Sequence, residues 1–183
     1  LDQRDNRQRV GQLAAGRRVL NLFGYTGGFS VDAGLGGASH VTTVDLASPA
    51  LAAAAHHWQL NGLLPAYHRV VEADAFKFLE EVAQRKERWE LVIADPPSFA
   101  PSREAVPRAV QAYQRLIAAS TAVTEPDGIL AAASCSSHIK QEEFLEVCEA
   151  GISQARRRAS LLGVYGQPAD HPTPLAFPEF RYL

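Results

Sequence analysis

The chain has 183 residues, 46% hydrophobic and 21% charged, with 13 Gly and 11 Pro, which excludes disordered, collagen-like and disulfide-scaffold classes and fits one folded domain. Lys and Arg number 18 against 20 Asp and Glu, a formal net charge of -2, so no global field draws in a polyanion and any nucleic-acid contact must be local. No run approaches the ~18 uninterrupted apolar residues of a membrane span, and the opening LDQRDNRQR is no secretory signal, so a cytoplasmic protein without a membrane partner is expected.

Short β-branched or apolar runs alternate with longer helix-like segments along the chain, the pattern of a parallel sheet covered on both faces. Strands are expected over residues 19–23, 41–46, 68–73, 91–94, 128–134 and 160–165. A helix-like stretch covers 29–35 after the first strand. After the second, Ser48 as N-cap and Pro49 in the first turn start an alanine-rich helix running to Leu60, stopped by Asn61 and Gly62. Further helices carry Phe76, Leu79 and Val82; then Val106, Val110, Tyr113, Ile117 and Ser120; then Phe144, Val147, Cys148, Gly151 and Ile152, each set on one stripe at helical spacing. The stripe assigns Cys148 a structural role as a small buried hydrophobe. The fold class is therefore α/β, a doubly wound, mostly parallel sheet with helices on both faces, whose ligands gather at the carboxyl ends of the strands.

The residues at those strand ends carry the chemistry. The first strand runs into Gly24, Tyr25, Thr26, Gly27 and Gly28, glycines that let the backbone turn sharply beside a ligand. The second ends in Asp45, where a carboxylate can accept hydrogen bonds from both hydroxyls of a ribose. Together these point to an adenosyl-containing cofactor, and a nicotinamide dinucleotide and S-adenosylmethionine satisfy the geometry equally. Asp74, Ala75 and Phe76 follow the third strand and suit either an adenine contact or a helix N-cap at Asp74. Asp95, Pro96, Pro97, Ser98 and Phe99 follow the fourth; the two prolines fix an extended turn that can hold a carboxylate and an aromatic against a planar base. Cys135 leaves the fifth strand among Ser134, Ser136 and Ser137, where a thiol can serve as a nucleophile or be incidental. The histidines include no metal-ligand spacing, since His56 and His57 are adjacent and diverge on a helix; no metal is expected.

Taken in order, Asn21 to Ser30, Val44-Asp45-Leu46, Asp74-Ala75-Phe76, Asp95-Pro96-Pro97-Ser98-Phe99 and Ser134-Cys135-Ser136 resemble the bacterial rRNA large-subunit methyltransferase I family. The opening Leu1-Asp2-Gln3-Arg4-Asp5-Asn6-Arg7 and the closing Asp170-His171-Pro172 and Phe177-Pro178-Glu179 extend that resemblance over essentially the whole chain. It implies a Rossmann-like class I methyltransferase that uses S-adenosylmethionine to methylate carbon-5 of a cytosine in large-subunit ribosomal RNA. By the resemblance, Phe23, Gly24, Tyr25, Thr26, Gly27 and Gly28 would wrap the methionine part of the cofactor, Asp45 with Leu46 would hold its ribose, and Asp74, Ala75 and Phe76 its adenine. Cys135 would be the nucleophile and Asp95, also beside the cofactor, would hydrogen-bond the base. Glu179 is the candidate for the proton-abstracting base, with a surface carboxylate as the alternative.

The family normally carries a PUA-type RNA-binding module ahead of this domain and a further strand after it. With no methionine in the sequence, the chain reads as a catalytic domain truncated at both ends, the near-neutral charge reflecting the missing module. Arg4, Arg7, Arg9, Arg17 and Arg18 read as local phosphate contacts, and Arg156 to Arg158 as a solvated helix end. Rival readings are an amino-directed RNA or protein methyltransferase, which needs no thiol, a nicotinamide-dependent oxidoreductase, which leaves Asp95 and Cys135 without a role, and a non-catalytic cofactor-binding or RNA-docking module. The sequence gives no oligomeric state.

Overall fold

A computed structural model describes residues 3–136, 138–166 and 168. Its elements are α1 (Arg4–Leu13), β1 (Arg18–Leu22), α2 (Gly28–Leu35), β2 (His40–Asp45), α3 (Ser48–Leu60), β3 (His68–Glu72), α4 (Ala75–Gln84), β4 (Trp89–Ala94), α5 (Val106–Val123), β5 (Thr124–Ala132) and α6 (Gln141–Gln154). Five strands form one sheet in the order β3-β2-β1-β4-β5, every neighbouring pair parallel. Parallel pairing needs a crossover between strands, and the helices supply it on both faces.

The alternation of side chains along each central strand decides which helices it meets. Val19, Val41, Leu91 and Ile93 lie on one face with Val10, Ala33 and Trp58, from α1, α2 and α3. Leu20, Leu22, Val44 and Val92 lie on the other with Phe78, Leu79, Val82 and Leu116, from α4 and α5. α6 packs on α5 through Tyr113, Phe144 and Val147. Both faces are buried, which is why these strands read as near-continuous apolar runs.

Several expectations change. Residues 160–165 form no strand; Leu161 and Leu162 stay exposed, because an apolar run becomes a strand only where a sheet edge accepts its backbone. The Arg9 guanidinium instead lies 4.4 Å from the centre of the Tyr165 ring. Ala47, not Ser48, is the N-cap of α3, with Ser48 and Pro49 inside its first turn; the Ala47 N–H donates to Asp45 Oδ1 at 2.9 Å. The charged N-terminal segment, for which no element was expected, is helical: α1 packs on α2, and Arg7 Nε meets Asp32 Oδ2 at 3.2 Å. Arg156 and Arg158 are exposed as expected, but Arg157 is half-buried and donates to the carbonyls of Thr124 (3.5 Å) and Glu125 (3.2 Å), tying the segment after α6 to the start of β5. Among the described residues no helix is long and apolar enough to cross a membrane.

Candidate active site

In this strand order β1 has β2 on one side and β4 on the other. The connections leaving β1 and β4 therefore diverge to opposite faces and open a crevice at their carboxyl ends. There the structure holds a cavity of about 450 Å³. Its wall takes residues from the ends of all five strands: Phe23 and Tyr25 after β1, Val44, Asp45 and Leu46 at β2, Ala73 and Ala75 after β3, Asp95, Pro96 and Pro97 after β4, and Cys135 after β5.

The loop after β1 is shaped by backbone conformation. Phe23 and Tyr25 both adopt positive φ, 56° and 45°, a region that costs a non-glycine residue about 1–2 kcal/mol. Gly24 N–H donates to Val44 O at 3.0 Å, and a Cβ on Gly24 would collide with the Thr43 methyl. Gly27, at φ 81°, is the N-cap of α2, with Ala54 Cβ only 2.8 Å from where its own Cβ would stand. These two glycines act by letting the loop lie against β2 and α3; neither lines the cavity.

Asp45 joins loop to sheet. Its Oδ2 accepts the Tyr25 N–H at 2.9 Å and its Oδ1 accepts the Ala47 N–H at 2.9 Å. A carboxylate oxygen accepts two hydrogen bonds, so each has room for a ligand hydroxyl. Beside it Leu46 and Tyr25, both 68% exposed, present apolar surface at the cavity mouth. The set suits a ribose carrying a flat apolar base.

Behind the loop a buried polar chain crosses the sheet. Asn21 Nδ2 donates to Ser30 Oγ (2.9 Å), which pairs with Thr43 Oγ1 (2.6 Å), which pairs with His68 Nε2 (2.7 Å). Burial, and then the nearby His40, pushes the His68 pKa down to about 4. The ring is thus neutral near pH 7, with its Nε2 paired to the Thr43 hydroxyl.

Cys135 and Asp95 reach the same cavity from the other side. The Cys135 thiol donates to the Pro96 carbonyl at 3.6 Å, linking the fifth-strand end to the proline turn. Phe99, expected to face a base, instead packs on Tyr113 with ring centres 4.7 Å apart.

Other anticipated positions fall elsewhere. Asp74 caps α4, its Oδ1 accepting the Lys77 N–H at 3.0 Å. Phe76 packs against the core, with the Arg115 guanidinium 5.9 Å from its ring centre. Of that trio only Ala75 is in the cavity wall. Thr26 and Gly28 line a neighbouring polar hollow of about 350 Å³ with Arg7, Asp32, His57 and Asn61. Glu179 lies outside the described residues. Cys148 packs against the α5–α6 cluster, and burial pushes its thiol up to about 11. Gln3, not anticipated as a site residue, lines the cavity while its Oε1 accepts from Asn6 Nδ2 at 2.7 Å.

Comparison with known proteins decides the family. A model described as S-adenosylmethionine-dependent methyltransferase matches residues 1–163. The chain belongs to that family. Over its whole length this methyltransferase is 41% identical to a ribosomal RNA large subunit methyltransferase of Deinococcus radiodurans and 38% identical to a ribosomal RNA large subunit methyltransferase I of Aeromonas salmonicida, covering 44% and 46% of those proteins. The chain thus spans about half the length of the curated relatives it matches. Among solved structures it resembles SMU.776, a protein assigned as a methyltransferase and complexed with SAH. The TM-score is 0.87 at 30% identity, over 100% of this chain and 48% of that one.

S-Adenosylmethionine is the cofactor of the family, and the residues present fit it. Asp45 would offer two carboxylate oxygens to the ribose, Leu46, Ala73 and Ala75 an apolar wall to the adenine, and the Phe23–Tyr25 turn its backbone to the methionine end.

Proposed function

We propose that this methyltransferase domain methylates carbon-5 of a cytosine in large-subunit ribosomal RNA, through a transient covalent bond between Cys135 and the base. The observation that carries the reading is the placement of Cys135 and Asp95 in the same cavity wall as Asp45 and the loop after β1. The names of the relatives supply the RNA class.

Carbon-5 of cytosine is too weak a nucleophile to attack a methyl group unaided. Bound S-adenosylmethionine supplies an electrophilic methyl on a sulfonium. The Cys135 thiolate, its proton having passed to solvent, adds to carbon-6, and the electron pair of the 5,6 double bond becomes available at carbon-5 as an enamine. Asp95 hydrogen-bonds the ring-nitrogen side of the base and favours that addition. Once carbon-5 carries the methyl, a base removes its proton, the carbon-sulfur bond to Cys135 breaks, and the 5,6 double bond returns. Glu179 is proposed as that base. The two prolines after Asp95 remove N–H groups and restrict the turn, so the carboxylate and the Pro96 carbonyl are held in a rigid segment beside the thiol.

The test uses the full-length protein and an in vitro transcript of large-subunit ribosomal RNA containing 5-fluorocytidine. Fluorine at carbon-5 leaves no proton to remove, so a Cys135–RNA adduct should accumulate and survive denaturing electrophoresis. Cys135→Ala should form none and methylate nothing, while binding S-adenosylmethionine as the parent does. Methylation at the parent rate by Cys135→Ala would overturn the carbon-5 mechanism in favour of an amino-directed reaction.

A further inference from the structure

We propose that Tyr113 is a positioning residue for Cys135, its buried hydroxyl clamping the two serines that flank the thiol. The inference rests on the reading of Cys135 as the nucleophile and adds a residue that touches neither base nor cofactor.

Tyr113 sits in the middle of α5 and is fully buried, its ring between Phe99 (ring centres 4.7 Å apart) and Phe144 (5.4 Å, edge-on at 82°). A phenylalanine would satisfy those ring contacts. The hydroxyl needs a separate reason, because burying one without partners is costly. Its partners are Ser134 and Ser136, themselves 2% and 3% exposed.

The bonds close a ring. Ser134 Oγ donates to Tyr113 Oη (3.1 Å), Tyr113 Oη pairs with Ser136 Oγ (2.9 Å), and the Ser136 N–H donates back to Ser134 Oγ (3.3 Å). With Tyr113 donating to Ser136, each of the three groups gives one proton and receives one around the cycle. Cys135 lies between the two serines, so the cycle fixes the backbone on both sides of it. Ser136 Oγ extends the clamp to the fourth-strand turn, reaching Ser98 Oγ at 3.1 Å and the Ala100 N–H at 3.4 Å. The loops bearing Asp95 and Cys135 therefore meet at Ser136 Oγ, which the phenol holds from the α5 side, next to the 3.6 Å contact of the thiol with Pro96 O. Burial holds the Tyr113 pKa above its usual value, so the phenol keeps the proton that the cycle uses.

Tyr113→Phe keeps the rings and removes the phenol's bonds to both serines. A nucleophile displaced by about 1 Å costs up to about a hundredfold in rate, so kcat for methyl transfer by the full-length protein should fall ten- to a hundredfold with KM for S-adenosylmethionine unchanged. With the serines no longer held by the phenol, the thiol's bond to Pro96 O should loosen, so Cys135 alkylation by iodoacetamide, followed on its own peptide by mass spectrometry, should move to lower pH. A kcat within twofold of the parent, or a superimposable alkylation profile, in Tyr113→Phe overturns the proposal. If the parent forms the 5-fluorocytidine adduct, either result leaves the carbon-5 reading standing. Absence of that adduct in the parent overturns that reading, and the clamp's catalytic role with it.

Discussion

Asp45 Oδ2 accepts the backbone N–H of Tyr25 at 2.9 Å, so one carboxylate both shapes the loop after β1 and faces the cavity that the loop encloses. If Asp45 holds the ribose, replacing it by Ala removes the acceptor for two ligand hydroxyls. Hydrogen bonds to a charged group contribute about 1.5–3 kcal/mol each, so affinity for S-adenosylmethionine should drop by about a hundredfold or more. Titration calorimetry checks this, and unchanged affinity would remove Asp45 from the ribose site.

Gly24→Ala should weaken binding without touching any ligand-facing side chain. The new Cβ would meet the Thr43 methyl and come within 3.0 Å of Asn21 Nδ2, and overpacking of this kind costs about 1–3 kcal/mol. Both the melting temperature and cofactor affinity should fall, measured by calorimetry on one preparation. A fall in affinity alone would mean that the glycine is needed for ligand approach and not for packing.

His68 makes the fold sensitive to acid. Its folded pKa is about 4 against an ordinary 6.5, so the unfolded chain takes up a proton below pH 6.5 that the folded chain resists until about pH 4. The contribution is fully present above pH 6.5 and is lost as pH falls through that window. Solvent screening at this half-buried ring limits the loss to on the order of 1–2 kcal/mol. His68→Gln should flatten this part of the profile of stability against pH; an unchanged slope would show that the carboxylates alone account for it.

The two thiols should separate chemically. The Cys148 thiol, raised to about 11 by burial, has a thiolate fraction near pH 8 on the order of one in a thousand. Iodoacetamide at pH 8 should label Cys135 and leave Cys148 intact, and peptide mass spectrometry distinguishes them. Equal labelling would show that α6 opens readily from α5.

The parallel sheet was legible because Val19 to Leu22, Val41 to Val44 and Leu91 to Ala94 are buried on both faces and their polarity carries that fact. The stretch 160–165 has the same local polarity but no strand beside it, and a partner is not encoded in the run itself. α1 escaped notice because only Val10 and Gly11 are buried along it, too little for a stripe. Glycines and Asp45 signalled a cofactor loop, yet the apolar wall at Ala73 and Val44 carries no chemical signature. Tyr113 stood out as one aromatic on a stripe, while the serines its hydroxyl meets lie on another element of the chain.

β1 occupies the middle of the sheet although it precedes the other four strands in the chain, and its second neighbour, β4, arrives only after α2, β2, α3, β3 and α4. During synthesis one edge of β1 stays open until Ala94 has emerged, with Leu20 and Leu22 lacking half their cover. Such long-range pairing slows folding and exposes the nascent chain to association with others. The cavity wall is closed only by Cys135 at the end of β5, so a chain interrupted before that residue has the cofactor-facing wall without the thiol opposite it.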